Sequence, residues 1–253
     1  MRQTLRKLYL DLFGTFAKPA RGVHILNGHY LSPGKGEASV FREQLNALRE
    51  GCTLVRIEDA VAMIVNRTKV SDPLVAFTFD DGFEEQATSI APALEEYGIN
   101  AAFFINPGFI GGDAAYRENF LRNRVMTPRK APMTWDQIKA LHQKGHIIGS
   151  HGQDHLPLNT DDRDLILHEL LAGRQAIEHH TGAPCEYFAY TYGGMNDFSL
   201  TALNIAKSQY RYIFSQSDHR HYFSFNGAVI NRRHFEPFWP VEHVRYFLSV
   251  KKT

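Results

Sequence analysis

The sequence predicts a single α/β domain in which a parallel sheet, wound by crossover helices, closes into a barrel. Three observations predict it. Short apolar runs alternate along the chain with segments of helical periodicity, the pattern of repeated βαβ units. Seven or eight such units fit within 253 residues, a length that barrels reach without dividing into domains. No G-x-G-x-x-G loop follows any of the runs, which disfavours an open dinucleotide-binding sheet.

Residues 1–22 read as a basic N-terminal extension and 23–253 as the barrel, with an inserted loop at about 107–132. Residues 1–21 hold five Lys/Arg against Asp11, among several large apolar side chains. A helix packed on the outside of the barrel is the preferred reading, and peripheral contact with the inner face of a membrane is the alternative. Asp11 interrupts the apolar stretch, no small-residue cleavage site follows cleanly, and no run reaches 18 apolar residues. A cytoplasmic location is therefore expected.

The elements follow in order. Residues 23–26 read as a strand and 39–49 as a helix stopped by Gly51. Residues 74–79, bounded by Pro73 and Gly82, form a continuous apolar run of the kind that is buried on both faces. Helix 86–97 follows, with Ala87, Ile90, Ala91 and Leu94 on one face and Gly98 at its end. Residues 100–105 are the next strand. Thr134 and Gln137 have the spacing of a capping box for a helix stopped at Gly145. Strand 146–150, helix 161–180 ending at Gly182, strand 187–190 and helix 197–208 come next, with 211–214 and 228–235 as the last strands.

Composition excludes some functions. A hydrophobic fraction of 43% with 22% charged residues is that of a soluble globular protein, and a net charge of +1 argues against nucleic acid as a partner. Thirteen histidines invite a search for metal ligands. Cys52 and Cys185 are too few for a thiolate metal site, and fit either a reducing compartment or one disulfide.

Reactive side chains gather where predicted strands end. Asp80 and Asp81 close the 74–79 run, His151 closes 146–150, and Tyr192 lies just past 187–190. Barrel enzymes build their sites at the C-terminal ends of several strands. Taken alone, Asp80-Asp81-Gly82 also suits a solvated turn with a helix cap, and His151-x-x-x-His155 suits two surface histidines. No Glu follows the first histidine, so this is not the helical protease motif. Joined together, two imidazoles and one carboxylate with an open position make a hydrolytic metal site, and the second carboxylate is left as a base.

Thr78–Gly82, Ser150–His155 and the stretch Phe188-Ala189-Tyr190-Thr191-Tyr192-Gly193 resemble, in order and spacing, the first three motifs of the polysaccharide deacetylase family, the chitooligosaccharide-deacetylase homology domain. The resemblance covers roughly residues 23–235. It implies a distorted (β/α)7 barrel, with Asp81, His151 and His155 as metal ligands and Asp80 as general base. It also implies that the Tyr192 backbone N–H helps to stabilise the oxyanion. The reaction implied is hydrolysis of an N-acetyl group from an amino sugar: Asp80 deprotonates the attacking water and a general acid protonates the leaving amine. Surface-polysaccharide biosynthesis in a bacterium is the setting implied. The metal is divalent, zinc in the first instance, with cobalt, nickel or iron accepting the same donors.

Two departures matter. Ala189 stands where many members carry an arginine that orients the catalytic aspartate, and Thr191 stands where a subset carries proline. The usual late histidine motif is not evident. In Ile230–His234, Arg232 and His234 would share one face of a strand, so Arg232 is expected to orient Asp80 and His234 to supply the acid. His29, near the end of the first strand, is a further substrate-side candidate. In the 107–132 loop, Arg122 and Arg124 are expected to bind a phosphorylated substrate, such as a sugar nucleotide or a lipid-linked sugar, because guanidinium forks match phosphate. Two rivals remain open: an N-deformylase of an amino sugar, and a non-catalytic saccharide-binding protein on the same barrel.

Overall fold

The structure, a computed structural model, describes residues 2–32, 38–127, 129–218 and 220–253. Among the described residues ten strands form one sheet: β1 (Gly22–Gly28), β2 (Thr53–Leu54), β3 (Pro73–Phe79), β4 (Ala101–Ile105), β5 (Ile147–Ser150), β6 (Tyr187–Ala189), β7 (Tyr212–Ser215), β8 (Phe223–Ser224), β9 (Val229–Asn231) and β10 (Arg233–His234). The spatial order is β10-β1-β3-β4-β5-β6-β7-β9-β8, and every pair is parallel except β8 with β9. The predicted 228–235 strand is split at Arg232. Its first half pairs with β7 through Phe214 and Ile230, and its second half pairs with β1 through Leu26 and Arg233. One segment thus joins both ends of the sheet, and the ring of seven strand positions is the (β/α)7 barrel that the family resemblance implies.

Alternation along the strands gives the barrel two apolar layers. Val23, Ile25, Ala76, Ala102, Phe104 and Phe214 share one buried cluster with Ile57, Val61 and Ile64 of the helix Ile57–Val65. Phe77, Phe79, Phe103 and Ile105 belong to the other cluster, with Phe41, Leu45, Leu94 and Ile138 of the surrounding helices. Further along the first face the residues turn polar, so that Asn27, Thr78 and Asp80 follow Ile25 and Ala76 at alternate positions. The strand run of Leu/Val/Phe residues dictates burial on both sides; the polar residues at its end dictate the site.

Most predicted elements recur with shifts of one to three residues at their ends. The capping box is present: Gln137 N donates to Thr134 Oγ1 at 3.2 Å and Thr134 N donates to Gln137 Oε1 at 2.8 Å. The expectation of a loop over 107–132 is corrected. Helices Pro107–Gly111 and Ala114–Asn119 and a helical turn at Phe120–Arg124 occupy most of it. Asp113 caps the second of these by accepting from Tyr116 N at 2.8 Å, and Phe109 and Phe120 stack at 4.3 Å in a small core with Phe83 and Leu121.

The N-terminal extension is a helix, Arg2–Phe16, packed on the C-terminal helix Val241–Leu248. Leu10 is buried there, and a side chain on Gly14 would meet the Glu242 carbonyl at 2.3 Å, so only glycine allows this approach. His243 Nε2 lies 2.7 Å from Asp11 Oδ1. Leu8, Leu12, Phe13 and Phe16 nevertheless face outward. Among the described residues no helix is long and apolar enough to cross a membrane. Cys52 and Cys185 are both buried free thiols.

Candidate active site

Asp80 follows the last residue of β3, and its amide donates to Gly28 O at 3.0 Å, which fixes its backbone to the end of β1. Arg232, from the break between β9 and β10, donates Nη1 to Asp80 Oδ1 at 2.8 Å and Nη2 to Oδ2 at 2.9 Å. Asn27 Nδ2 adds a third bond to Oδ2 at 2.9 Å. The guanidinium is itself fully buried, with Nε donating to Ser215 O at 3.0 Å and its plane beside Phe104 at 4.9 Å. Burial would raise the Asp80 carboxyl, but the Arg232 charge and then His151 outweigh it and hold it well below the usual carboxylate range. Asp80 is therefore ionised, and Ala189 leaves it in no want of an arginine.

Asp81, His151 and His155 are buried, and their candidate ligand atoms all lie within 4.8 Å of one another. His151 Nδ1–H donates to Ala189 O at 2.7 Å, which leaves the Nε2 lone pair facing Asp81 Oδ1 at 3.6 Å. His155 Nε2 lies 3.6 Å from the same oxygen. These separations are too long for hydrogen bonds. They suit donors to one ion, because bonds of about 2.0–2.2 Å put neighbouring tetrahedral ligands roughly 3.3 Å apart. Burial raises the Asp81 carboxyl and lowers His155, the shifts of donors held in a dry site. The three residues therefore fit a divalent metal.

Asp81, His155 and Tyr192 all carry left-handed φ angles, of 75°, 57° and 64°. Non-glycine residues in this region cost about 1–3 kcal/mol each and persist where packing over-determines them. All three border one cavity of about 260 Å³.

The same cavity is lined by His29, Asp80, His151, Arg124, His234 and Glu236. Glu236 was not anticipated. It is 5% exposed, accepts from His29 Nδ1–H at 2.7 Å and from the His29 amide at 3.0 Å, and lies 3.0 Å from His234 Nε2. Burial alone would lower the His29 pKa, but the Glu236 charge and hydrogen bond lift it to about 9. Burial likewise opposes ionisation of Glu236, and His29 followed by His234 overcomes it, bringing the carboxyl down to about 2. Residues Arg232, His234 and Glu236 alternate in sequence, the one signal that could have found it.

The predicted arginine grip is not assembled. Arg122 is 69% exposed, pairs with Glu118 at 2.9 Å one helical turn back, and is absent from the cavity lining, so this expectation is corrected. Arg124 reaches the cavity, but its Nη1 is bonded to Asp154 O and to Tyr116 Oη. Helical winding of the insertion sends the two side chains different ways.

The polysaccharide deacetylase family model matches residues 67–212, more than half of the chain and all three motifs. The chain belongs to the polysaccharide deacetylase family. YxkH of Bacillus subtilis (strain 168), named for the same family, is 26% identical over 189 residues, which are 73% of this chain and 61% of that protein. The chain thus spans about three fifths of that relative. IcaB from Ammonifex degensii superposes with a TM-score of 0.72 at 21% identity, over 92% of this chain and 99% of that one. The Streptococcus pyogenes deacetylase PplD, solved with acetate, gives 0.66 at 19% identity, over 91% and 99%. Both likenesses concern the fold, and they cover more of the chain than the family match does.

Proposed function

We propose that this polysaccharide deacetylase is a metal-dependent hydrolase that removes an N-acetyl group from an amino sugar. The observation that carries the reading is one cavity holding an ionised carboxylate, a three-donor metal set and a protonated histidine, Asp80, Asp81/His151/His155 and His29. Asp81, His151 and His155 would hold a divalent ion, zinc first among the candidates, and such an ion when bound would supply an acidic water near neutral pH and polarisation of an acyl oxygen. Asp80, oriented by Arg232 and Asn27, accepts the proton of the attacking water. The Tyr192 backbone N–H supplies a donor to the oxyanion.

As the C–N bond breaks, the leaving amine takes a proton, and His29 is the proposed donor in place of His234. The His29 ring is 21% exposed against 44% for His234, and Glu236 keeps it charged at neutral pH. With Arg122 turned away, a neutral sugar is the favoured substrate over a phosphorylated one. Peripheral membrane contact is proposed through the outward apolar face of the Arg2–Phe16 helix beside Lys7, Lys18 and Arg21.

Acetate and formate release from N-acetyl and N-formyl amino sugars and their oligomers tests the reading. Wild type is expected to release acetate, and Asp80→Asn to lose at least 100-fold in kcat, on the scale of a lost general base. Formate alone would make the protein a deformylase, and release of neither by a metal-loaded protein would favour saccharide binding.

A further inference from the structure

The turn that carries both metal-donor histidines is folded around a carboxylate that lies outside the cavity lining. Residues 151–156 follow β5 directly, and they bring the candidate ligand atoms of His151 and His155 within 4.8 Å of each other and of Asp81. The backbone of this turn is anchored from several elements. His151 N donates to Ile105 O at 2.9 Å, and Asn106 Nδ2 donates to the carbonyls of His151 at 2.6 Å and Gly152 at 3.2 Å. Gly108 N donates to Gln153 O at 2.8 Å, and Thr191 Oγ1 donates to Leu156 O at 2.8 Å.

The amides of Asp154 and Leu156, the two neighbours of His155, both end on Glu169. Asp154 N donates to Oε1 at 3.1 Å and Oε2 at 3.2 Å, and Leu156 N donates to Oε2 at 3.2 Å. Glu169 belongs to the helical segment His168–Ala172 and is fully buried. Gly152 lets the turn close on it: a Cβ there would lie 2.5 Å from Glu169 Oε2, on a backbone with φ +82°. His155, at φ 57°, is thus pinned on both sides in a conformation its side chain disfavours.

We propose that Glu169 is a positioning residue for the metal site, its carboxylate holding the 151–156 turn so that His151 and His155 converge on one ion. The proposal rests on the metal reading given above. A carboxylate can accept from both amides at once, whereas a glutamine offers one acceptor oxygen and sets an N–H against the second. Removing partners that orient metal ligands costs about 10–100-fold in metal affinity.

The test measures zinc affinity by chelator competition, and melting of the metal-free protein, for wild type, Glu169→Gln and Glu169→Asp. Glu169→Gln is expected to bind zinc about 10–100-fold more weakly and to regain acetate release when zinc saturates. Glu169→Asp, with its carboxylate on a shorter arm, is expected to fall between. A merely structural carboxylate would lower the metal-free melting temperature and leave the folded variants' zinc affinity within twofold of wild type, which would overturn the proposal. A wild type that takes up no zinc would instead overturn the metal reading beneath it. If Glu169→Gln does not fold, amide exchange in metal-free wild type decides: slow exchange at Asp154 and Leu156 supports the anchor, and fast exchange at both overturns it.

Discussion

At Asp80 burial and charge act in opposite directions, and Arg232 decides the outcome. A carboxylate with no partner at 2% exposure would take up a proton; two guanidinium bonds and an amide bond keep it ionised. Removing the arginine strands a buried charge, so Arg232→Met is expected to destabilise the fold by about 3–5 kcal/mol in urea unfolding. Arg232→Lys keeps the charge but not the fork, and is expected to fold while losing on the order of 100-fold in kcat through misplacement of Asp80. A lysine variant with wild-type kcat would remove Arg232 from the positioning of Asp80.

The His29–Glu236 pair gives a pH signature of its own. His29 is raised from 6.5 to about 9, so its share of stability is present below pH 6.5 and is lost as pH rises through 9. Glu236 is lowered from 4.5 to about 2, so its share is present above pH 4.5 and is lost as pH falls through 2. The stability difference between wild type and Glu236→Gln is therefore expected to be largest between pH 4.5 and 6.5 and to shrink towards pH 9. With the carboxylate gone, burial is opposed only by the more distant Asp81 and Asp80 charges, and the alkaline limb of kcat/KM is expected to move down from near 9. An unmoved limb would remove His29 as the acid.

At the scale of elements, the four residues Asp80, Asp81, His151 and His155 were legible because each pair sits within a few residues of a strand end, and strand ends read from local apolar runs. Asn27 was not, because its partner Asp80 lies 53 residues away, and Glu236 was marked only by its alternation with Arg232 and His234, its partner His29 lying 207 residues away. The insertion misled for a related reason. Its helices depend on Phe109 and Phe120 stacking over Phe83, a contact that sequence periodicity does not display. Thr191, a departure in the motif, has a local role in the fold as the donor to Leu156 O.

The N-terminal helix satisfies the packing expectation on one face and leaves the other apolar. Vesicle sedimentation is expected to show binding to anionic lipid that 0.5 M salt weakens and that Leu12→Glu with Phe16→Glu abolishes. Equal recovery of wild type and variant from the pellet would remove membrane contact from the proposal.

Across the whole molecule, seven or eight strand positions and their parallel direction followed from alternating strand and helix patterns, and the (β/α)7 closure was what the family resemblance implied. What sequence alone did not disclose is how the ring closes. The stretch 228–235 reads as one strand by its alternation, yet half of it belongs to β7 and half to β1. That division is set by which neighbours are within reach, a non-local property, and it is what carries Arg232 into the barrel beneath Asp80. The helix Ile57–Val65, packed on the inner apolar cluster, also went unread, since a short apolar run does not distinguish a buried helix from a strand. Closure and site are therefore coupled: the strand break that completes the barrel also supplies the base with its partner.

The most direct test of metal-dependent deacetylation is metal content measured beside acetate release, for wild type, Asp81→Ala and His155→Ala. Wild type is expected to carry about one divalent ion per chain and to release acetate from an N-acetyl amino sugar, and both variants are expected to lose both properties while remaining folded. Wild type that takes up no metal even when zinc is supplied, or variants that keep their acetate release, would contradict it.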